Sequence, residues 1–117
     1  MNAEDPNNGF APSPGKLARI RLPGGFGVRI DTHIEAGYAI PPFYDSMIGK
    51  LICWGRDRDE AIERMLRVLD ELVVESVTTT AAFHARLLNH PNFRSGDFNT
   101  AFVAGVLEGQ SITTENV

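Results

Sequence analysis

The chain has 117 residues, 43% of them hydrophobic and 22% charged, with a formal net charge of −4. That length is one domain or a piece of one, and a mildly acidic chain without a basic stripe speaks against nucleic acid or an anionic membrane as partner. A single cysteine, Cys53, excludes an internal disulfide and a cysteine-based zinc site, while no apolar run approaches the roughly 20 residues that cross a bilayer.

The start, M-N-A-E-D-P-N-N-G, is polar and acidic, unlike a signal or transit peptide. A cytoplasmic, reducing setting is the expectation. Residues 1–15 are rich in Asn, Pro and Gly and read as an N-terminal loop, the least protected part of the chain. Ala18, Ile20 and Leu22 alternate with Arg19 and Arg21, as in a half-buried strand. Pro23-Gly24-Gly25 is a turn, and Phe26 to Asp31 a second strand, so the two are expected to form a hairpin. Pro41 and Pro42 then exclude a helix. Residues 47–54 are apolar on both faces apart from Lys50, the mark of a central strand in which the lysine would need a partner.

Beyond residue 55 the period changes from two to 3.6. Asp57 and Glu60 have the spacing of a capping box. Ile62, Met65, Leu66, Leu69, Leu72 and Val73 form one apolar stripe. Glu60–Arg64 and Glu63–Arg67 would pair on the opposite face. Ile52, Trp54, Ile62, Met65, Leu66 and Leu69 are expected among the best-buried residues. The β-branched run from Val73 to Thr80 predicts a short strand. Thr79 or Thr80 can cap a second helix to about Asn89, which Pro91 stops, and a last short helix should begin near Asn99. The fold class predicted is α+β: an antiparallel sheet, hairpin plus central strand, followed by two to three packed helices. Residues 16–107 would form the domain and 108–117 a disordered tail.

Taken alone, the chemistry-bearing residues are quiet. Gly24-Gly25-Phe26-Gly27 is followed by a strand, whereas a phosphate-cradling loop opens a helix. His33, His84 and His90 share no ligand spacing. Cys53 in an apolar strand is a small hydrophobe rather than a nucleophile. Asp45 by itself reads as an Asp-Ser turn cap.

Several ordered motifs carry a resemblance further. N-A-E-D-P at 2–6, P-S-P-G at 12–15, G-G-F-G-V-R at 24–29 and P-P-F-Y-D-S at 41–46 lead the set, and K-L-I-C-W-G at 50–55, R-D-x-A-I-x-R-M at 58–65 and F-x-x-R-L-L-x-x-P-x-F at 83–93 complete it. Together they resemble the C-terminal domain of biotin carboxylase, the ATP-dependent part of biotin-dependent carboxylases. One departure is local: Ser76 and Thr80 stand where the family commonly has Gly and Asn, so the turn before the second helix is expected to be strained or rearranged.

The resemblance implies a parent enzyme that carboxylates biotin on a carrier protein, using ATP, Mg and bicarbonate on an ATP-grasp fold. Its partners would be the remainder of biotin carboxylase, a second copy in a homodimer, and the biotin carboxyl carrier protein. The family's active-site arginine lies just upstream of N-A-E-D-P, so the chain is expected to be the last portion of a longer protein. This portion is expected to hold no cofactor, no metal and no catalytic residue of its own. Three carry-overs follow from the motifs. Phe26 and Arg29 match residues of the family's dimer interface, Asp45 matches an aspartate between that interface and the active site, and Thr100 falls near the approach of the last helix to the adenine. P-P-F-Y-D-S-M-I-G-K is closest to the acetyl-CoA carboxylase form, which serves fatty acid synthesis. The rivals are the same domain of a pyruvate, propionyl-CoA or urea carboxylase, and a stand-alone, non-enzymatic dimerisation module.

Overall fold

The structure, a computed structural model, describes residues 1–41 and 46–108. The chain opens with two short antiparallel strands, β1 (Glu4–Asp5) and β2 (Ala11–Pro12), joined through a 3-10 turn. β3 (Gly15–Lys16), β4 (Ile20–Arg21), β5 (Val28–Thr32), β6 (Ala39–Ile40) and β7 (Gly49–Cys53) follow. Then come helix α1 (Arg58–Glu71), β8 (Val73–Val74), and helices α2 (Ala81–Asn89), α3 (Pro91–Ser95) and α4 (Phe102–Leu107). The α+β class holds, and every strand pair is antiparallel. No described helix is long and apolar enough to cross a membrane.

The pairing differs from the expected hairpin. β4 does not pair with β5. It pairs with β8, Ile20 facing Val74, while β5 pairs with β7 from Val28–Cys53 to Thr32–Gly49. The glycine turn therefore carries the chain from one sheet to another. Residues 1–15 also depart from the loop reading. Ala3 is buried at 1% exposure, its N–H bonds to Ser46 O, and the Met1 carbonyl accepts the N–H groups of Ile48 and Gly49. The segment's polar composition hid a strand whose backbone, rather than its side chains, supplies the attachment.

One cluster packs Ala3, Leu17, Ile34, Ile40 and Ile48 with Ile20, Tyr38, Val74 and Val77 around it. A second joins Phe83, Phe102 and Val106 to Phe10, Leu87 and Phe93. Helix α1 lies between β7 and α2. Asp57 caps it by accepting the Glu60 N–H at 2.8 Å, but Glu60 reaches back to the Arg56 N–H at 3.2 Å instead of closing the box on Asp57. Of the two expected ion pairs, Glu60–Arg64 stands at 3.7 Å. Glu63 instead meets Arg94 of α3 and Arg67 meets Glu71, each at 2.6 Å. Pro91 opens α3 and Gly96, at φ +80°, closes it, in the usual order for those two residues.

The first turn of α1 sits on Gly55. A Cβ there would fall 2.4 Å from Ala61 N and 2.9 Å from its Cα. Only a glycine lets helix and strand end approach this closely.

Candidate functional site

β5 and β7 form a two-stranded sheet with an inner and an outer face. Val28, Ile30, Thr32, Leu51 and Cys53 point inward and are half-buried. Cys53 Sγ lies 3.9 Å from Met65 Sδ of α1, and burial pushes its thiol pKa up despite the nearby Arg64 and Arg67. A raised pKa withholds the thiolate.

The outer face carries Arg29 and Asp31 from β5, and Lys50 and Ile52 from β7. Arg29 and Asp31 form an exposed ion pair at 2.9 Å, and the hydrogen bond from Arg29 holds the Asp31 carboxyl below the usual range. Beside them Phe26 is 98% exposed, Trp54 64% and Ile52 45%. This corrects the expectation that Ile52 and Trp54 lie in the core and that Lys50 is buried. All three lie on the open face, because α1 covers one side of β7 only. The signal is present in the sequence: Lys50, Ile52 and Trp54 share one parity along the strand, and the lysine marks that face as the wet one.

Phe26 is not in the strand at all. It sits in the turn before β5, between Gly25 at φ +124° and Gly27 at φ +72°. Strand alternation therefore does not set its direction relative to Arg29. Two arginines of α1 hold this turn. Arg67 Nη2 donates to Gly24 O at 3.3 Å, and Arg64 Nη1 donates to Trp54 O. Trp54 N–H in turn bonds Gly27 O at 2.8 Å.

The other residues singled out by sequence lie elsewhere. Thr100 is exposed in the turn before α4, a helix that packs through Phe102 and Val106 on Phe83. Asp45 lies outside the described residues. His33 is exposed with its ring edge-on to Tyr38 at 5.2 Å. Among the described residues no group of three His, Cys, Asp or Glu could hold a metal ion. The glycine turn feeds a strand, so it offers no helix terminus to a triphosphate.

Sequence reasoning missed a second constellation. Thr80 is buried and grips the first strand twice: its N–H bonds Asn2 O and its Oγ1 accepts the Asn2 N–H, both at 2.9 Å. His84 Nε2 stands 3.3 Å from the same hydroxyl. His84 borders a cavity of about 370 Å3 with Met1, Leu51, Met65, Leu69 and Leu87.

Residues 1–105 match the family described as the biotin carboxylase C-terminal domain. The chain belongs to that family. Biotin carboxylase 1 of Bacillus subtilis (strain 168) is 53% identical over 103 residues, which are 88% of this chain and 23% of that protein. A pyruvate carboxylase subunit of Methanothermobacter thermautotrophicus is 52% identical over 103 residues, 88% of this chain and 21% of its own length. Among solved structures, the biotin carboxylase domain dimer of Hydrogenobacter thermophilus 2-oxoglutarate carboxylase, in complex with MgADP, ADP and bicarbonate, aligns at TM-score 0.86 and 39% identity. It covers 91% of this chain and 24% of that one. The chain thus spans about a quarter of the length of these relatives.

Proposed function

We propose that this biotin carboxylase C-terminal domain belongs to an ATP- and bicarbonate-dependent ligase that carboxylates biotin on a carrier protein. The observation that carries this reading is the family match over residues 1–105. The domain supplies structure and a contact between two copies, while nucleotide, Mg and bicarbonate are held by the rest of the enzyme. Within it, Phe26 and Arg29 take part in the two-fold contact, Asp45 links that contact to the active site, and Thr100 lies on the nucleotide side. The exposure of Phe26 and Arg29 supports the first assignment. The full-length protein should hydrolyse ATP in the presence of bicarbonate only when biotin or the carrier protein is added. Biotin-independent turnover, or none, would overturn the reading.

The finer reading is the acetyl-CoA carboxylase type. It rests on the motif around Pro41 to Lys50 and on relatives named simply biotin carboxylase. The near-equal identity to a pyruvate carboxylase subunit favours pyruvate as the second reading. Reconstitution with the organism's own carrier protein and transferases separates them. Malonyl-CoA formed from acetyl-CoA supports the first, and carboxylation of pyruvate alone overturns it. An upstream reading frame without an ATP-binding domain would leave only the dimerisation-module alternative.

A further inference from the structure

The apolar part of the outer face is larger than the two residues already assigned to a contact. We propose that Ile52 and Trp54 join Phe26 and Arg29 in one surface that receives a second copy of this chain. In the same proposal, Arg64 and Arg67 are positioning residues that hold the surface in shape. This rests on the reading of the protein as a two-fold dimer and names what builds its contact.

Three observations converge. First, Phe26, Ile52 and Trp54 are the exposed large apolar residues of the loop and strand that share this face. Scattered single exposures need no explanation, but a contiguous aromatic group flanked by charges marks an interaction site. Aromatic residues and arginine are the side chains enriched at interface centres.

Second, the charges on this face are of both signs and close together. Arg29 and Asp31 are two residues apart on β5, and Lys50 stands opposite Asp31 in the register. A two-fold axis passing between Arg29 and Asp31 would bring Arg29 of one copy to Asp31 of the other, and the reverse. A patch that complements itself in this way fits an isologous contact with its own copy. A partner of one charge sign would meet repulsion from half of it. The first strand of the chain is also accounted for elsewhere: Met1 bonds Gly49 at the edge of β7 and borders the cavity on the helix side.

Third, the surface is fixed before any partner arrives. Arg64 reaches Trp54 O and packs so tightly on Gly27 that a Cβ there would come within 2.7 Å of Nη1. Arg67 bonds Gly24 O while its other nitrogen pairs with Glu71. The turn that displays Phe26 is therefore anchored at both ends to α1. Association then pays little to order it, which is how preorganised anchors gain affinity.

The test is sedimentation of the full-length protein as three variants beside the wild type, with melting temperature and biotin-dependent ATP hydrolysis measured alongside. Ile52→Ser with Trp54→Ser should raise the dimer dissociation constant at least tenfold without lowering the melting temperature of the dissociated chain. Arg64→Met with Arg67→Met should raise it severalfold while leaving all four surface residues in place. Phe26→Ala with Arg29→Glu tests the underlying reading. If that variant dissociates and the Ile52/Trp54 variant remains as dimeric as wild type, the proposal fails and the dimer reading stands. If the Ile52/Trp54 variant melts earlier but sediments unchanged, the face is covered by another part of the same polypeptide, and the proposal fails. If only the arginine variant stays dimeric, the positioning role is overturned. A wild-type protein that is monomeric at micromolar concentration overturns reading and proposal together.

Discussion

Ser76 holds φ at +81°, a region where an L side chain crowds the following carbonyl. The sequence resemblance places glycine there in relatives, and the backbone has kept the glycine conformation although the side chain has changed. Ser76→Gly is therefore expected to stabilise the chain by about 0.5–1 kcal/mol, the relief of strain less the added freedom of glycine when unfolded. Urea unfolding measures it, and a destabilised variant would mean the turn is not strained. The neighbouring departure, Thr80, behaves differently, since its hydroxyl is fully used by Asn2 and His84. The crowding of the His84 ring, and then the nearby N-terminal ammonium, lower its pKa. A base with a lowered folded pKa favours the folded state while neutral. That contribution is complete above the ordinary imidazole value of about 6.5 and is lost as pH falls through it towards the folded value. An imidazolium could only donate to the Thr80 hydroxyl, so acid should loosen the Asn2 clamp. Because His84 is solvent-exposed on one side, the loss should be small. An NMR titration should place its midpoint below the usual value, and a midpoint at or above it would contradict the geometry.

At the scale of elements, helices were legible and strand partners were not. The stripe from Ile62 to Leu69 identified α1, and the capping residue Asp57 fixed its start to the residue. Within the stripe, however, the deepest positions are Ile62 at 4% exposure and Val68 at 0%, not Met65, Leu66 and Leu69, which are half-buried. Met65 and Leu69 line the cavity against α2 and so have fewer neighbours. Strand pairing depends on segments far apart in the chain. β4 finds β8 across some fifty residues, and no local pattern around the Pro-Gly-Gly turn records that choice. The interface residues Phe26 and Arg29 were reached only through the resemblance, while Ile52 and Trp54 were misplaced because a run of apolar residues looks the same whether one face or two is covered. Two substitutions should separate the faces. Ile62→Ala should cost about 2–5 kcal/mol, as for other core truncations, while Trp54→Ser should change the stability of the dissociated chain by less than about 0.5 kcal/mol. Gly55→Ala should cost about 1–3 kcal/mol or more, because its new methyl meets the backbone of Ala61, which cannot rotate away. Equal effects of Ile62 and Trp54 in urea melts would mean that the outer face is core after all.

At the scale of the whole molecule, this domain lacks the parts that its proposed reaction needs. A triphosphate with its Mg ion is held by convergent backbone N–H groups, fixed cations and acidic metal ligands. Among the described residues the acids are spread over separate elements and supply no metal cluster. Most of the arginines of α1 and α3 are committed: Arg56 to Glu60, Arg58 to Phe93 O, Arg64 to Trp54 O, Arg67 to Glu71 and Arg94 to Glu63. The cavity beside β7 is lined chiefly by apolar side chains, the wrong surroundings for a polyanion, whose desolvation there would go uncompensated. The 117-residue chain by itself is therefore expected to bind MgATP no more tightly than millimolar concentrations would detect, while the full-length protein binds it and hydrolyses it in a biotin-dependent way. Titration calorimetry on both proteins under the same buffer is the direct comparison. Micromolar affinity in the short chain would mean that a nucleotide site lies within it. Absence of binding in both would instead remove the ligase reading while leaving the fold and its outer face untouched.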